Sequence, residues 1–160
     1  MSQPYLFLDI DGVLNRNDLS AVLINQQCVE NLNVILREVQ PLVILSSAWR
    51  YMILNGSMTL AGFHHMMVTH GVTGLLKLVG TTDPDPTELE IDPTIPASRG
   101  LLIAKAVQQF GVKNYVVIDD DDDRIRKYGH PLILTQGNLG LTCADAKDAI
   151  DILRRGQVSE

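Results

Sequence analysis

Cysteine is scarce in this chain: Cys28 and Cys143 are the only two among 160 residues. A single pair is no disulfide framework, and free, buried thiols in a reducing compartment are the expectation. No apolar run approaches the roughly 20 residues needed to span a bilayer. The first residues hold no basic flank followed by a signal-length apolar run. These absences predict a soluble, cytoplasmic protein with no membrane partner. Positive charge is in deficit too, with 13 Lys and Arg against 19 acids and a net charge of −6. That balance argues against phosphate-backbone binding as the main activity. Internal repeats are missing. The length suits one domain over 1–160, large enough to bury a core without staples.

What the chain does have is acid in two short stretches. Asp119 to Asp123 are five consecutive aspartates, and Asp9 and Asp11 bring the count to seven of 19 acids. The remaining 12 acids nearly balance the 13 bases, so the excess charge lies in these stretches. Brought together by the fold, they need a cation. The first stretch follows an apolar run, Leu6-Phe7-Leu8, of strand length. Gly12 has no Cβ and lets the chain turn at once. An isolated Asp9-Ile10-Asp11-Gly12 is equally a strand followed by an Asx-type turn.

Asn15 to Leu23 reads as a loop or flap. From Asn25, Cys28, Leu32, Ile35, Leu36 and Val39 recur at helical spacing, and Pro41 stops the pattern. Leu42 to Leu45 is a second buried strand, ending on Ser46-Ser47-Ala48-Trp49-Arg50. A helix with Leu60, Phe63, His64, Met67 and Val68 inward follows. His64, His65 and His70 are poor metal candidates, because neighbours on a helix face different ways and no thiol or acid accompanies them. Leu76 to Val79 is a weak strand. The acidic, proline-rich loop over 83–97 holds four of the seven prolines and sustains neither helix nor central strand. It is either a solvated loop or a border of the site.

Ser98 caps a helix with Leu102, Ile103, Ala106, Val107 and Phe110 inward, and Gly111 ends it. Tyr115 to Ile118 is the clearest buried strand, and Pro131 to Thr135 is a fifth. Thr142 and Asp145 form a capping pair for a last helix with Ala146, Ala149, Ile150 and Leu153 inward. Strands alternating with helices argue for an open parallel sheet covered on both faces. The carboxyl ends of such strands share one edge, where ligands bind. Asp9, Asp11, Ser46, Asp119 and Asp120 each follow a strand and so converge there. Arg99 joins them if its helix runs back from that edge.

This assembly resembles the haloacid dehalogenase (HAD) superfamily, mostly phosphatases and phosphotransferases. The resemblance covers Leu6 through Asp123. Its motifs match at Asp9-Ile10-Asp11-Gly12, at Ser46, at Arg99 (with Lys105 as the alternative base) and at Asp119-Asp120. Within the superfamily, Ser47-Ala48-Trp49-Arg50, Arg99-Gly100 and Gly140-Leu141-Thr142 resemble small domains found alone or attached to RNA-repair proteins. The implied fold is α/β and Rossmann-like, a three-layer sandwich with a central, mainly parallel sheet and a flap after the first strand. The lengths between motifs leave no room for a large cap.

The resemblance implies a Mg²⁺-dependent phosphatase in which Asp9 is the nucleophile and forms an aspartyl-phosphate. Two like unit charges about 4 Å apart repel by roughly 4 kcal/mol at an effective dielectric near 20, so the attack on a phosphate needs a cation. Mg²⁺ suits hard oxygen ligands. Those ligands would be Asp9, the carbonyl of Asp11, and Asp120, with Asp119 as alternative ligand or neighbour. Asp11 is the implied general acid and base. Ser46 and Arg99 would bind the transferring phosphoryl. Trp49 and Arg50 either touch substrate or pack. Asp121 to Asp123 are expected at the surface or beside the ligands.

An open site suits a phosphorylated substrate with a large leaving group, such as a nucleic-acid end or a phosphoprotein. Two other classes stay in view. A phosphoacceptor signalling domain would carry adjacent acids first and its acceptor on a middle strand, the reverse of the order here. A catalytically inactive metal-binding interaction module would not need both Asp9 and Asp11.

Overall fold

The computed structural model describes residues 2–17, 24–82 and 98–158. The expected flap over 15–23 lies largely outside these residues, and the 83–97 loop lies wholly outside them. Five strands form one sheet: β1 (Pro4–Leu8), β2 (Leu42–Leu45), β3 (Lys77–Thr81), β4 (Asn114–Asp119) and β5 (Leu132–Leu134), in the order β3-β2-β1-β4-β5. Every pairing is parallel. The helices are α1 (Gln26–Glu38), the short α2 (Tyr51–Leu54), α3 (Leu60–Thr69), α4 (Arg99–Phe110) and α5 (Cys143–Val158).

The central strands are apolar on both sides because both faces are covered. Successive residues take opposite faces. Leu6 and Leu8 of β1, Val43 and Leu45 of β2, and Val116 and Ile118 of β4 face a core built with α1, α3 and α5. Phe7, Ile44 and Val117 face a second core with Ile103 and Ala106 of α4. These are the three layers read from the sequence. The chain works outward from β1 to β3, then crosses to begin β4 on the other side of β1. The carboxyl ends of β1 and β4 therefore flank the switch point of the sheet, where an open α/β fold leaves a crevice.

Local chemistry sets the helix ends. Asn25, Thr59 and Ser98 cap α1, α3 and α4 through side-chain oxygens. Thr142 and Asp145 exchange hydrogen bonds of 3.0 and 3.2 Å as a capping box for α5. Gly111, left-handed at φ 63°, ends α4.

Four expectations need correction. Asp119 is the last residue of β4 and lies in register with Leu134, so it does not lie past the strand. The third strand runs to Thr81 through Gly80, whose missing Cβ makes room for the Phe110 ring. Val68 is exposed, while Phe63 and Met67 carry α3 into the core and Met66 packs against it partly buried. Cys143 is exposed at the start of α5, while Cys28 is buried; both are free thiols.

His64 is half-buried and contacts the Leu76 carbonyl, His70 contacts the Met66 carbonyl, and His65 is exposed. Among the described residues none of the three joins a group able to hold a metal. No helix there is long and apolar enough to cross a membrane.

Candidate active site

Asp9 continues β1 by one residue: its N–H donates to the Ile118 carbonyl at 3.0 Å. That bond seats the side chain in the crevice between β1 and β4, where it is 1 % exposed. Asp119, 0 % exposed, arrives from β4 beside it. Asp120 follows, and one oxygen each of Asp9, Asp119 and Asp120 lie within 4.8 Å of one another.

The turn after β1 is built to admit Asp120. Val13 and Leu14 N–H groups both donate to the Ile10 carbonyl, Gly12 takes φ 76°, and Thr135 Oγ1 donates to the Gly12 carbonyl at 2.8 Å. A Cβ on Gly12 would overlap the Asp120 carboxylate. Asn17 Nδ2 donates to Asp120 Oδ2 at 3.2 Å. Asp11 projects from the turn and is exposed. Its Oδ1 accepts from Asn15 Nδ2 at 2.8 Å and its Oδ2 from Trp49 Nε1 at 3.1 Å.

Ser46 is buried just past β2, its N–H bonded to the Leu8 carbonyl at 2.9 Å. Trp49 is half-buried and turned towards Asp11. Arg50 is buried, donates to the Ser47 carbonyl at 2.9 Å and lies over the Tyr51 ring. Its guanidinium thus braces the loop from inside.

The cation in the site is Arg99. Its Nη1 lies 3.1 Å from Asp9 Oδ2 and 2.6 and 2.7 Å from the two oxygens of Asp119. Lys105, further along α4, has no contact of this kind among the described residues. Arg99 is delivered by the start of α4, and the aspartate run helps to place it. Asp123 Oδ2 accepts from the Arg99 N–H at 2.9 Å, and the Asp123 carbonyl accepts from the Gly100 N–H at 3.1 Å.

Asp119 Oδ1 accepts from the Asp121 N–H, Asp121 Oδ1 from the Asp123 N–H, and Asp122 Oδ1 from the Arg126 N–H. The last three aspartates therefore fold a loop. That loop holds Asp123 and Arg124 at positive φ, 25° and 65°.

Electrostatics inside the crevice are unbalanced. Burial, then the neighbouring charge of Asp119, pushes the Asp9 carboxyl up to about 8, against the pull of Arg99. Burial likewise raises Asp119, with Arg99 opposing. Asp9 Oδ1 is buried and makes no hydrogen bond. A buried carboxylate oxygen without a partner is costly. One guanidinium does not neutralise three clustered acids. The set is all hard oxygen, and a divalent cation such as Mg²⁺ would satisfy both the orphan oxygen and the charge.

A family described as the HAD domain in Swiss Army Knife RNA repair proteins matches residues 5–146. The chain belongs to this family. No curated protein and no solved structure matches it significantly. The HAD domain thereby has the fold of a hydrolase family, and its acidic crevice could hold a metal.

Several contacts of the HAD domain are not written in any motif. Asn15, Asn17, Thr135 and Asp123 secure the loops around the crevice. Gly100 has no room for a Cβ because the Arg124 carbonyl and the Tyr128 ring crowd it. His130 sits behind it, buried, with Nε2 2.9 Å from the Gly100 carbonyl and Nδ1 2.6 Å from the Tyr115 hydroxyl. A carbonyl only accepts, so Nε2 carries the hydrogen and Tyr115 donates to Nδ1.

Burial holds His130 below its ordinary pKa of 6.5. Below that value the unfolded chain binds a proton that the folded domain refuses. The stability contributed by His130 is therefore complete above about 6.5 and is lost as pH falls below it. His130→Gln should lower the melting temperature at pH 7.5, with the gap to the parent narrowing by pH 5.5. A gap of constant size across that range would contradict a neutral, buried imidazole.

Proposed function

We propose that this HAD domain is a Mg²⁺-dependent phosphomonoester hydrolase that works through an aspartyl-phosphate on Asp9. The observation that carries the reading is the unpartnered Asp9 Oδ1, a buried carboxylate oxygen on a residue clustered with Asp119 and Asp120. Asp9, Asp120 and the Asp11 carbonyl would hold the ion, with Asp119 bound to Arg99 beside them. When bound, the ion supplies positive charge against the anionic substrate and the ionised nucleophile.

An Asp9 oxygen attacks phosphorus, and the bond from phosphorus to the leaving oxygen breaks. Asp11 gives its proton to that oxygen. The Asp11 carboxylate then takes a proton from water, the water oxygen bonds to phosphorus, and the bond to Asp9 breaks. Inorganic phosphate leaves, and both aspartates return to their starting state. Ser46 and Arg99 hold the non-reacting phosphoryl oxygens, and Arg99 opposes the rise that burial imposes on Asp119.

The family's description names RNA-repair proteins, which supports a phosphate at a nucleic-acid end as substrate. A domain without a large cap admits so bulky a leaving group. Net charge of −6 favours recognition of the end over the backbone. Two free cysteines suit a reducing compartment such as the cytoplasm.

The test is phosphate release, with Mg²⁺ or EDTA, from an aryl phosphate, an alkyl phosphate and 3′- and 5′-phosphorylated oligoribonucleotides. Release from none of them would end the phosphatase reading.

Metal binding has its own readout. Asp9 holds an extra proton in the folded, metal-free domain between about pH 4 and 8, because its folded value is about 8 against 3.8 unfolded. That contribution is fully present below 3.8 and is lost as pH rises through about 8. Metal binding needs the ionised form.

Millimolar Mg²⁺ should therefore raise the melting temperature more at pH 8.5 than at pH 6.5. A hundredfold excess over Kd contributes about 2.7 kcal/mol. At about 2–4 °C per kcal/mol, that is a shift of several degrees. Asp120→Ala should remove most of it. An equal shift in parent and variant would take Asp120 out of the ligand set.

A further inference from the structure

We propose that Trp49 is a positioning residue for Asp11, its indole N–H fixing the orientation of the carboxyl that acts as acid and base. The inference rests on the phosphatase reading above. Asp11 stands in an exposed turn, where solvent alone would leave its side chain free to change rotamer. Instead both oxygens are held, Oδ1 by Asn15 at 2.8 Å and Oδ2 by Trp49 at 3.1 Å.

The two donors differ in what stands behind them. Asn15 belongs to the same turn, and its own Oδ1 accepts from the Gly12 N–H at 2.8 Å. It therefore moves with Asp11. Trp49 comes from the segment after β2. Its backbone N–H donates to Ser47 Oγ at 3.2 Å. Its ring meets Phe63 edge-on at 6.4 Å and 86°, and Phe63 is fully buried in α3. Trp49 thus ties Asp11 to a part of the core that does not belong to the β1 turn. A ring with two side-chain torsions does this at low entropic cost.

The chemistry of the donor suits the task. Indole Nε1–H donates and never accepts. It steadies an oxygen without competing for the proton in transit and without adding charge beside the phosphoryl group. An ionised carboxylate has about four lone-pair sites, so two remain for the proton after both donors are satisfied. A group held this way sits where proton transfer needs it, and misorientation is expensive in rate.

Trp49→Phe keeps a ring against Phe63 and deletes the N–H. With Asn15 still in place, kcat on an alkyl phosphate should fall about tenfold while KM changes by less than about twofold. The loss should be smaller on a nitrophenyl phosphate. In an Asp11→Ala background, the same substitution should cost nothing more, because the two residues act as a unit. A raised KM with intact kcat would make Trp49 a substrate contact and overturn the proposal. The same fold-loss in both backgrounds would overturn it as well.

Trp49 is the only tryptophan, so the folded protein has a single indole N–H resonance. Asp11→Ala should move that resonance towards the position of a solvated indole. An unmoved resonance overturns the proposal, and this measurement needs no change at position 49 should Trp49→Phe fail to fold. A parent inactive on every ester removes the phosphatase reading and the positioning role together. A fully active parent matched by an equally active Trp49→Phe removes the positioning role alone.

Discussion

Asp9→Asn is expected to abolish turnover of an aryl phosphate, by about 10⁴ or more, while the domain stays folded. The amide keeps the shape of the side chain and loses the nucleophilic charge. Few native contacts depend on that charge. Oδ1 makes no hydrogen bond, and Oδ2 lies 3.1 Å from the Arg99 guanidinium. Arg99 retains its shorter bonds to Asp119 at 2.6 and 2.7 Å. The substitution also puts a neutral amide where burial, and then repulsion from Asp119, penalises the ionised carboxyl of Asp9.

Without Mg²⁺, the melting temperature of Asp9→Asn should therefore equal or exceed that of the parent. It should also lose the decline in stability that the parent shows as pH rises towards 8. Rapid quenching with labelled substrate should leave phosphate on the parent protein and none on the variant. Undiminished turnover in Asp9→Asn, or label retained on it, would assign the nucleophile elsewhere.

The features legible in the sequence are those set by short-range rules. Leu6 to Leu8, Leu42 to Leu45 and Tyr115 to Ile118 read as buried strands because a parallel sheet covered on both faces needs continuous apolar runs. Ser98 and the Thr142–Asp145 pair read as caps because their oxygens bond N–H groups only three residues away. Topology alone is enough to place Asp9 and Asp119 at one sheet edge.

What sequence could not show depends on contacts across the fold. Asp123 is exposed, yet it also bonds the first N–H of α4 from 24 residues away, a contact no local pattern announces. His130 carries no signal of its own, since only the fold brings Tyr115 and Gly100 to either side of its ring. Val68 satisfies the helical spacing of α3 but is exposed, whereas Phe63 and Met67 are buried. From sequence, Trp49 fits either packing or substrate contact. The structure gives it packing on Phe63 at one edge and a hydrogen bond to Asp11 at the other.

Asp11→Asn should suppress turnover by about 10² or more, the scale for losing a general acid and base. The size of the loss should depend on the leaving group. An alkyl oxide leaves poorly unless protonated, so an alkyl phosphate should suffer the full effect. A nitrophenolate leaves well without help, so its first step should be nearly spared and only the water-activated second step slowed. With the nitrophenyl ester, the variant should therefore accumulate label on Asp9, whereas with the alkyl ester it should not.

The fold has little stake in this side chain. Asp11 is exposed, and its partners are the side chains of Asn15 and Trp49, each of which has other anchors. Circular dichroism of Asp11→Asn should match the parent. Steady-state and quenched-flow kinetics on both esters provide the measurement. An equal loss on both, with no trapped phosphate on either, would mean that Asp11 serves the enzyme by shaping the turn around Gly12 and Asp120, and that the proton comes from another group.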